Sequence, residues 1–356
     1  MTLTVDAKVG PRTPFDEVEI LDCTLRDGSY AVDFQFDVDT ITSVLSGLQT
    51  AGVGLVELGH GLGLNAGEKL GKPSQVSDEE CFDIASAVLD DAEWGMFCIP
   101  GIATLDHLRN AAAAGMRFVR VGVDITDVEP AQDFLDLAKN LGLRAFANLM
   151  KTNVLDSRGV AEAVRRCAGF GADAVYLVDS VGGYLPHEIT ELVAEVIRCG
   201  TPLGFHGHDN LGMANANALA AARSGVRYID ATLDGMGRGA GNANTEMFAA
   251  VLSAESDRSR YDYRALSRLS ETRIRGLKRL HSDRTFMIAG GLTQTHSSFF
   301  PLITKCALEH GVDVFDLMAE VALVERINPT EDLIRTIATA LVTDPRDAAY
   351  TRLPVG

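Results

Sequence analysis

From about residue 18 to residue 254, the sequence alternates between short apolar stretches and longer amphipathic ones. The short stretches have the length and composition of buried strands, and the longer ones carry the 3.6-residue periodicity of helices. Several of the longer stretches end in a glycine just before the next apolar run, as at Gly52, Gly115 and Gly225, where glycine supplies a left-handed cap. The pattern predicts eight strands: 19–25, 54–58, 95–99, 118–123, 144–149, 174–178, 203–206 and 228–232.

Eight strand–helix units of this length predict an α/β fold, a (β/α)8 TIM barrel, with its active site at the carboxyl ends of the strands. The alternative, a doubly wound open sheet, usually has a glycine-rich turn after its first strand, and residues 25–28 are not such a turn. Past residue 254 the alternation ends, and residues 262–343 carry helical periodicity. We therefore predict an N-terminal arm at 1–17, a barrel catalytic domain at 18–258 and a C-terminal helical domain at 259–356.

The composition is that of an acidic protein with enough apolar residues for a sizeable core. The 356 residues carry a formal net charge of −17, which argues against nucleic acid or an anionic membrane as a partner. No apolar run is long enough to cross a bilayer, and no basic-then-apolar leader is evident. Because the six cysteines include no Cys-x-x-Cys pair and mostly lie in apolar runs, we expect reduced thiols in a cytoplasmic enzyme.

Two histidines, His206 and His208, stand at the end of the predicted strand 203–206. Since residues i and i+2 of a strand share a face, both side chains can point at one metal ion or one anion. The alternative is a pair of unrelated polar residues at a strand end. Residues 209–210 break the strand, and we expect them to cap a helix at 210–224.

Polar residues at two other strand ends complete a candidate metal site. Asp27 follows the first strand, and Asn242 lies in the glycine-rich loop after the eighth. With His206 and His208 they form a set of oxygen and nitrogen ligands without a thiolate, which suits Mg²⁺, Mn²⁺ or Co²⁺ better than structural zinc. Such an ion can bind both oxygens of a 2-oxo acid and stabilise the enolate formed when the neighbouring C–C bond breaks. Arg26 is then placed to hold the same developing oxyanion.

The same residues also have simpler interpretations. Arg26 and Asp27 could form a structural salt bridge at the rim of the barrel. The glycine-rich loop at 235–242 could be an ordinary turn or a phosphate cradle, although no Lys-Ser/Thr follows it as in a P-loop.

Further polar residues at strand ends are candidates for substrate binding. His60 follows the second strand, and Asp179 and Ser180 follow the sixth. Asp179, like Glu57 of the second strand, could instead support the other site residues or close the end layer of the barrel.

Three segments, 21–28, 204–210 and 237–246, together resemble the DRE-TIM superfamily of metal-dependent lyases and aldolases. The signature of this superfamily is Arg-Asp plus His-x-His on a TIM barrel. Hydroxymethylglutaryl-CoA lyase, isopropylmalate synthase, homocitrate synthase and 4-hydroxy-2-oxovalerate aldolase belong to it. Within it, five stretches are most similar to the pyruvate aldolase branch, that of 4-hydroxy-2-oxovalerate aldolase: 59–64, 100–102, 231–242, 297–299 and 331–334.

The resemblance implies that Asp27, His206 and His208 bind a divalent metal, with Mn²⁺ expected and Mg²⁺ or Co²⁺ as alternatives, and that Arg26 stabilises the enolate. The implied reaction is the reversible cleavage of a 4-hydroxy-2-oxoacid to pyruvate and an aldehyde. The implied protein partner is an aldehyde dehydrogenase that docks on the C-terminal helical region, and a homo-oligomer through the same region is the alternative.

This sequence departs from the aldolase pattern at two positions. The family has a histidine where Tyr30 stands, and it has a tyrosine where His296 stands. If the two positions meet across the site, the pair has been exchanged, and a hydrogen-bonded Tyr30–His296 couple could still transfer the proton of the substrate hydroxyl. The alternative is that both changes mark lost or altered aldolase chemistry.

Two other functions stay open at this point. A Claisen-type synthase that joins an acyl-CoA to a 2-oxo acid would use the same metal ligands, although such synthases carry a longer C-terminal regulatory domain. A barrel that binds metal without catalysis, and serves as a partner subunit, is the second.

Overall fold

The computed structural model describes residues 13–256, 260–277, 279–280 and 283–343. Eight parallel strands pair with their neighbours in sequence order, and β8 pairs with β1 to close the barrel. The fold predicted from the alternating pattern is therefore confirmed. The strands are β1 Glu19–Leu25, β2 Leu55–Leu58, β3 Glu93–Cys98, β4 Phe118–Asp124, β5 Arg144–Met150, β6 Ala174–Asp179, β7 Leu203–Gly207 and β8 Tyr228–Ala231.

Helices pack around the outside of the barrel. Side-chain caps fix where several of them begin: Asp37, Ser77 and Asp156 each accept a backbone N–H of the first helical turn. The helices between the strands and after β8 are α1 Val38–Thr50, α2 Ala66–Leu70, α3 Asp78–Val88, α4 Leu105–Ala113, α5 Gln132–Asn140, α6 Ser157–Gly169, α7 Pro186–Val196, α8 Ala214–Arg223 and α9 Thr245–Glu255.

Helix α8 begins later than the sequence pattern indicated. We expected a helix at 210–224, but the chain turns at Gly212, which has a φ of +72°, and the helix starts at Ala214. Asp209 does support this helix, because its Oδ1 accepts the backbone N–H of Ala214 at 2.9 Å. The loop between β7 and α8 is therefore longer than predicted, and it contributes to the carboxyl end of the barrel.

Side chains inside the barrel form layers along the strands. Leu55, Phe118 and Tyr228 belong to an apolar cluster in the interior. The residues two positions further along the same strands are Glu57, Arg120 and Asp230. Because alternate residues of a strand share a face, these three charged side chains form the next interior layer towards the carboxyl end. The apolar layer thus fills the barrel nearer the amino ends of the strands, and the charged layer lies next to it, nearer their carboxyl ends.

Within the described residues, five further α-helices follow the barrel. The first packs against the barrel core through Leu266, whereas the other four enclose a second apolar cluster that includes Ile303, Leu317 and Ile334. The division of the chain at 258/259 remains a prediction. The helices are α10 Tyr263–Leu269, α11 Arg284–Thr293, α12 Phe300–His310, α13 Val314–Val324 and α14 Glu331–Thr343.

The C-terminal helices lie over the carboxyl end of the barrel. The side-chain amide of Asn210 donates to the carbonyl of Met287 at 3.0 Å, and Arg326 donates to the carbonyl of Asn153 at 3.3 Å. These contacts join loops after β7 and β5 to the helical region. They bring His296, in the turn between α11 and α12, to the mouth of the barrel.

The ends of the chain are described only in part. Of the predicted arm at 1–17, residues 1–12 lie outside the described residues, and Pro14–Glu17 form a 3-10 turn whose Phe15 is buried. Residues 344–356 of the predicted C-terminal domain also lie outside them. Among the helices that the structure does describe, none combines the length and the apolar character needed to cross a membrane.

Candidate active site at the carboxyl end of the barrel

Asp27, His206 and His208 meet at the carboxyl end of the barrel. One ligand atom from each lies within 4.8 Å of the others, and all three residues are buried. Asp27 stands two residues after β1, His206 belongs to β7, and His208 directly follows β7. The two imidazole rings are nearly perpendicular, with centroids 5.1 Å apart. The structure thus brings the predicted metal ligands together as one set.

Hydrogen bonds at Nδ1 orient both histidines. Nδ1 of His206 lies 2.8 Å from Oδ2 of Asp230, and Nδ1 of His208 lies 3.2 Å from the carbonyl oxygen of Gly241. Because a carboxylate and a carbonyl can only accept, each Nδ1 carries the hydrogen and each Nε2 keeps a lone pair for a metal. Burial is the main cause that lowers the pKa of His208 to about 3, against the opposing effect of Asp27. His208 is therefore neutral at neutral pH, as a metal ligand must be.

Asp27 and Asn242 supply the oxygen atoms of the set. Oδ2 of Asp27 accepts the side-chain amide of Asn242 at 2.7 Å, and the amide oxygen of Asn242 is buried with no hydrogen-bond donor among the described residues. Burial alone would raise the pKa of Asp27, but Arg26, His208 and His206 outweigh it and hold the pKa far below its ordinary value. An ionised carboxylate and an unsatisfied buried oxygen beside two imidazole rings fit a divalent cation.

Arg26 is held rigidly beside this set. Its Nε donates to Oε2 of Glu57 at 2.6 Å, its Nη1 donates to Oδ1 of Asp27 at 2.7 Å, and its guanidinium lies 4.7 Å from the centroid of the Phe97 ring. Nη2 has no acceptor among the described residues, although the side chain lines the cavity. Nη2 therefore remains a donor that a ligand in the cavity can engage.

The charged interior layer ties these groups together. Arg120 donates to Oε2 of Glu57 at 2.9 Å and to Oδ2 of Asp230, and all three side chains are almost fully buried. Glu57 thus holds both Arg26 and Arg120, while Asp230 holds both Arg120 and His206. Sequence reasoning proposed Glu57 as a supporting carboxylate but missed Arg120 and Asp230. The available signal was a charged residue inside each of two apolar strands.

Tyr30 and His296 line the same cavity, as their predicted meeting across the site requires. No hydrogen bond joins their side chains within the part of the chain that the structure describes. Instead, Nε2 of His296 lies 3.3 Å from both terminal nitrogens of Arg238. Arg238 thus occupies the imidazole nitrogen that a direct hydrogen bond from Tyr30 would need, and a link between Tyr30 and His296 through one shared water stays a prediction.

The protonation states of these two residues are nevertheless well separated. Burial raises the pKa of Tyr30 to about 12, so that its hydroxyl keeps its proton at neutral pH. Burial and the nearby charge of Arg238 lower the pKa of His296 to about 3, so that the ring stays neutral. One residue is thus a proton donor, and the other is a neutral group with a lone pair.

His60 lies beside the cavity without facing it. Its ring stacks on Phe34 with centroids 3.8 Å apart, Nδ1 accepts the backbone N–H of Leu62, and Nε2 lies 3.1 Å from the carbonyl oxygen of Lys72. Both ring nitrogens are engaged by the loops after β2. These contacts argue for a structural role of His60 and against the substrate-binding role predicted from the sequence.

Asp179 and Ser180, the other two predicted substrate-binding residues, differ in whether they reach the cavity. The carboxylate of Asp179 accepts the backbone N–H groups of Gly183 and Tyr184, each at 3.2 Å, so it fixes the loop after β6. Ser180 does line the cavity; its Oγ accepts the backbone N–H of Lys151 at 2.9 Å. Of these two predicted substrate-binding residues, only Ser180 reaches the space where a substrate would lie.

The architecture is that of the metal-dependent lyases and aldolases: a closed parallel barrel with Arg-Asp directly after β1 and His-x-His at the end of β7. Comparison with known families agrees, because the model of the HMGL-like family matches residues 17–272. The chain belongs to the HMGL-like family, and the resemblance drawn from the three motifs is confirmed.

Individual relatives extend the match to the C-terminal helices. The chain is 35% identical over 332 residues to 4-hydroxy-2-oxovalerate aldolase 2 of Nocardia farcinica, which covers 92% of this chain and 96% of that protein. It is 32% identical to 4-hydroxy-2-oxovalerate aldolase of Carboxydothermus hydrogenoformans, over 91% of this chain and 97% of that one. The carboxyl transferase domain of Rhizobium etli pyruvate carboxylase shares the fold, with a TM-score of 0.70 and 18% identity over 92% of this chain and 60% of that one.

Proposed function

We propose that this protein is a divalent-metal-dependent aldolase that cleaves a 4-hydroxy-2-oxoacid to pyruvate and an aldehyde, and catalyses the reverse addition. The observation that carries the proposal is the buried set of Asp27, His206 and His208 in one cavity with the free Nη2 of Arg26. The names of the relatives, which are 4-hydroxy-2-oxovalerate aldolases over nearly the whole chain, support the same reaction.

Activation of the 2-oxo group is assigned to the proposed metal ligands and to Arg26. Asp27, His206, His208 and Asn242 would hold the metal, which supplies Lewis acidity to the 2-oxo group when it is bound. Arg26 donates from Nη2 to the oxygen on which negative charge develops as the C3–C4 bond breaks. Because Glu57 and Asp27 hold the guanidinium in place, this donor needs no reorganisation during the reaction.

The proton-transfer half needs a base for the 4-hydroxyl and a donor for C3 of the departing pyruvate. His296 lines the cavity, and its Nε2 can accept a proton once a substrate displaces the donors of Arg238, so we assign it as the base. Tyr30 keeps its proton and lines the same cavity, so we assign it as the group that orients the hydroxyl or returns the proton. The hydroxyl proton leaves, the C3–C4 electron pair moves to the 2-oxo group, and C3 gains a proton, which balances the cleavage.

We also propose Mn²⁺ as the metal and the cytoplasm as the compartment. A set of one carboxylate, one amide oxygen and two imidazoles suits Mn²⁺, with Mg²⁺ and Co²⁺ as the alternatives. The six cysteines carry free thiols, and five of them are buried, which agrees with a reducing compartment.

The C-terminal helices carry apolar side chains that suit a protein partner. Leu292, Leu308 and Leu323 are 75%, 75% and 80% exposed, and Val324 is 65% exposed. A protein partner that covered these side chains would remove their apolar surface from water. We propose that an aldehyde dehydrogenase docks here, and light scattering of the purified protein, alone and with such an enzyme, separates this pairing from a homo-oligomer.

A pyruvate-release assay tests the proposed activity. The metal-free protein is supplied with Mn²⁺ and a panel of 4-hydroxy-2-oxoacids, and pyruvate is followed with lactate dehydrogenase. We expect pyruvate from at least one compound with the wild-type protein, and none with Asp27→Asn. The matched control is Asp22→Asn in β1, the strand that precedes Asp27, because Asp22 accepts from Thr245 outside the barrel interior.

Two other outcomes would replace the proposal. Release of free thiol from acetyl-CoA with a 2-oxo acid, without pyruvate release, would indicate a Claisen-type synthase. Metal binding without turnover of any compound in the panel would indicate a non-catalytic subunit.

A further inference from the structure

The cavity contains a second arginine, Arg238, whose charge has no acidic partner. The guanidinium of Arg238 contacts only uncharged groups: Nε2 of His296 at 3.3 Å and the carbonyl oxygen of Ser180 at 3.1 Å. No carboxylate of the described residues forms an ion pair with it. The other arginine that lines the cavity, Arg26, is paired, since it contacts Asp27 and Glu57.

Lys151 shows the same contrast. Its Nζ lies 2.8 Å from Oδ2 of Asp124, so its charge is compensated although it stands close to His296. Arg238, which is half-buried, is therefore the exception in this cavity. An uncompensated cation that is partly withdrawn from water is costly, and the protein as a whole has acidic residues in excess.

Arg238 also keeps hydrogen-bond donors in reserve. A guanidinium has five N–H groups, and the contacts with His296 and Ser180 use three of them at most. The remaining donors have no acceptor among the described residues. A planar guanidinium with free donors matches the two oxygens of a carboxylate.

We propose that the aldehyde half of the substrate carries a carboxylate, and that Arg238 binds it. This inference rests on the proposed function, and it names the substrate class: a 4-hydroxy-2-oxo dicarboxylic acid, cleaved to pyruvate and an aldehyde that is itself an acid. For 4-hydroxy-2-oxoglutarate the C3–C4 bond breaks, the hydroxyl proton is lost, C3 gains a proton, and the products are pyruvate and glyoxylate.

The position of Arg238 agrees with this division of the substrate. Its backbone N–H lies 3.3 Å from Oδ2 of Asp27, so the main chain of Arg238 lies beside the proposed metal ligands. Its side chain extends from there along the cavity to His296. Arg26 serves the 2-oxo end, and Arg238 lies beside the base that serves the 4-hydroxyl. A carboxylate at Arg238 would also compete for the donors that now contact His296, and this would free Nε2 to accept the hydroxyl proton.

A binding experiment isolates the carboxylate. 2-Oxoglutarate and 2-oxopentanoate have the same chain length and differ only in a terminal carboxylate or methyl group, and neither has a hydroxyl for cleavage. We expect the Mn²⁺-loaded protein to bind 2-oxoglutarate about ten-fold more tightly or better in calorimetry. In Arg238→Met, which keeps the bulk and removes the charge, the two affinities should become similar, and Arg238→Lys should lie between.

Arg326→Met is the matched control. Arg326 contacts Gln294 and the carbonyl of Asn153 at the same end of the barrel, but it does not line the cavity. Arg326→Met removes one positive charge outside the cavity, so it tests the long-range effect of charge alone. This variant should leave the ratio of the two affinities unchanged. Equal affinities in the wild-type protein, a ratio that survives Arg238→Met, or a ratio that falls equally in Arg326→Met would each overturn the inference.

Turnover separates this inference from the proposed function. The ratio of kcat/KM for 4-hydroxy-2-oxoglutarate to that for 4-hydroxy-2-oxopentanoate should fall by about ten-fold or more in Arg238→Met. Both absolute values can fall as well, because Arg238 contacts His296. Pyruvate release with an unchanged ratio would reject the role of Arg238 alone, whereas no pyruvate from either compound would reject the aldolase assignment and leave the binding ratio as the test of Arg238.

Discussion

Nδ1 of His206 lies 2.8 Å from Oδ2 of Asp230 in the buried interior of the barrel. This hydrogen bond fixes the tautomer of His206 and turns Nε2 towards Asp27 and His208. Asp230→Asn removes the charge, and its amide could present a donor to Nδ1. We expect Mn²⁺ affinity to fall by about ten-fold or more. Calorimetric titration of the chelated protein measures this, with Asp22→Asn as control, and equal affinities in the two variants would contradict the orienting role.

Arg26→Lys tests the oxyanion donor. The guanidinium of Arg26 contacts Glu57 and Asp27 through Nε and Nη1 and keeps Nη2 free. Lysine keeps the charge but cannot make these contacts with one planar group. We expect kcat to fall by about 10²-fold with a smaller change in KM, because the contact strengthens as charge develops. Steady-state kinetics with the best compound of the panel provide the measurement, and a lysine variant with nearly normal kcat would reject the role.

Arg120 should matter for folding more than any surface arginine. Its side chain is fully buried between Glu57 and Asp230, so Arg120→Met leaves two buried carboxylates without their shared partner. We expect the free energy of unfolding to fall by about 3–5 kcal/mol in urea denaturation. The control is Arg109→Met, which breaks an exposed pair with Asp106 and should cost about 0–1 kcal/mol. Similar losses in the two variants would contradict the account of the interior layer.

The lowered pKa of His296 predicts a pH dependence of stability. The folded protein keeps this ring neutral down to a pKa of about 3, whereas the unfolded chain binds a proton near pH 6.5. Since the unfolded state then binds more protons, the contribution of His296 to stability is present above pH 6.5 and is lost as pH falls towards 3. Between pH 7 and 5, wild-type protein should therefore lose more unfolding free energy than His296→Gln. Parallel losses in urea denaturation would show that the ring is protonated in the folded state.

The barrel and the meeting of Asp27, His206 and His208 could be predicted because both follow from strand periodicity. His206 and His208 are two residues apart at the end of one strand, and Asp27 closely follows another, so closing a parallel barrel brings the three side chains to the same end. Arg120 and Asp230 could not be assigned in the same way. A parallel strand is buried on both faces, so the sequence does not say which face lines the interior.

Side chains in loops were predicted least well, for a related reason. The direction of His60 depends on how the loop after β2 folds against Phe34, and that of Arg238 depends on the glycine-rich loop after β8. Neither direction follows from the distance along the chain. The contact between Arg238 and His296 also requires the C-terminal helices to lie over the barrel, which helical periodicity alone does not specify.

Deuterium exchange into pyruvate tests the central claim most directly, because it needs no knowledge of the aldehyde. If the cavity stabilises the pyruvate enolate, protein supplied with Mn²⁺ should exchange the methyl protons of pyruvate for deuterium in D₂O, as followed by mass spectrometry. The account predicts that exchange disappears on chelation and in Asp27→Asn, falls strongly in Arg26→Lys, and persists in Asp22→Asn. Pyruvate that stays unlabelled with the folded, Mn²⁺-bound wild-type protein would contradict it.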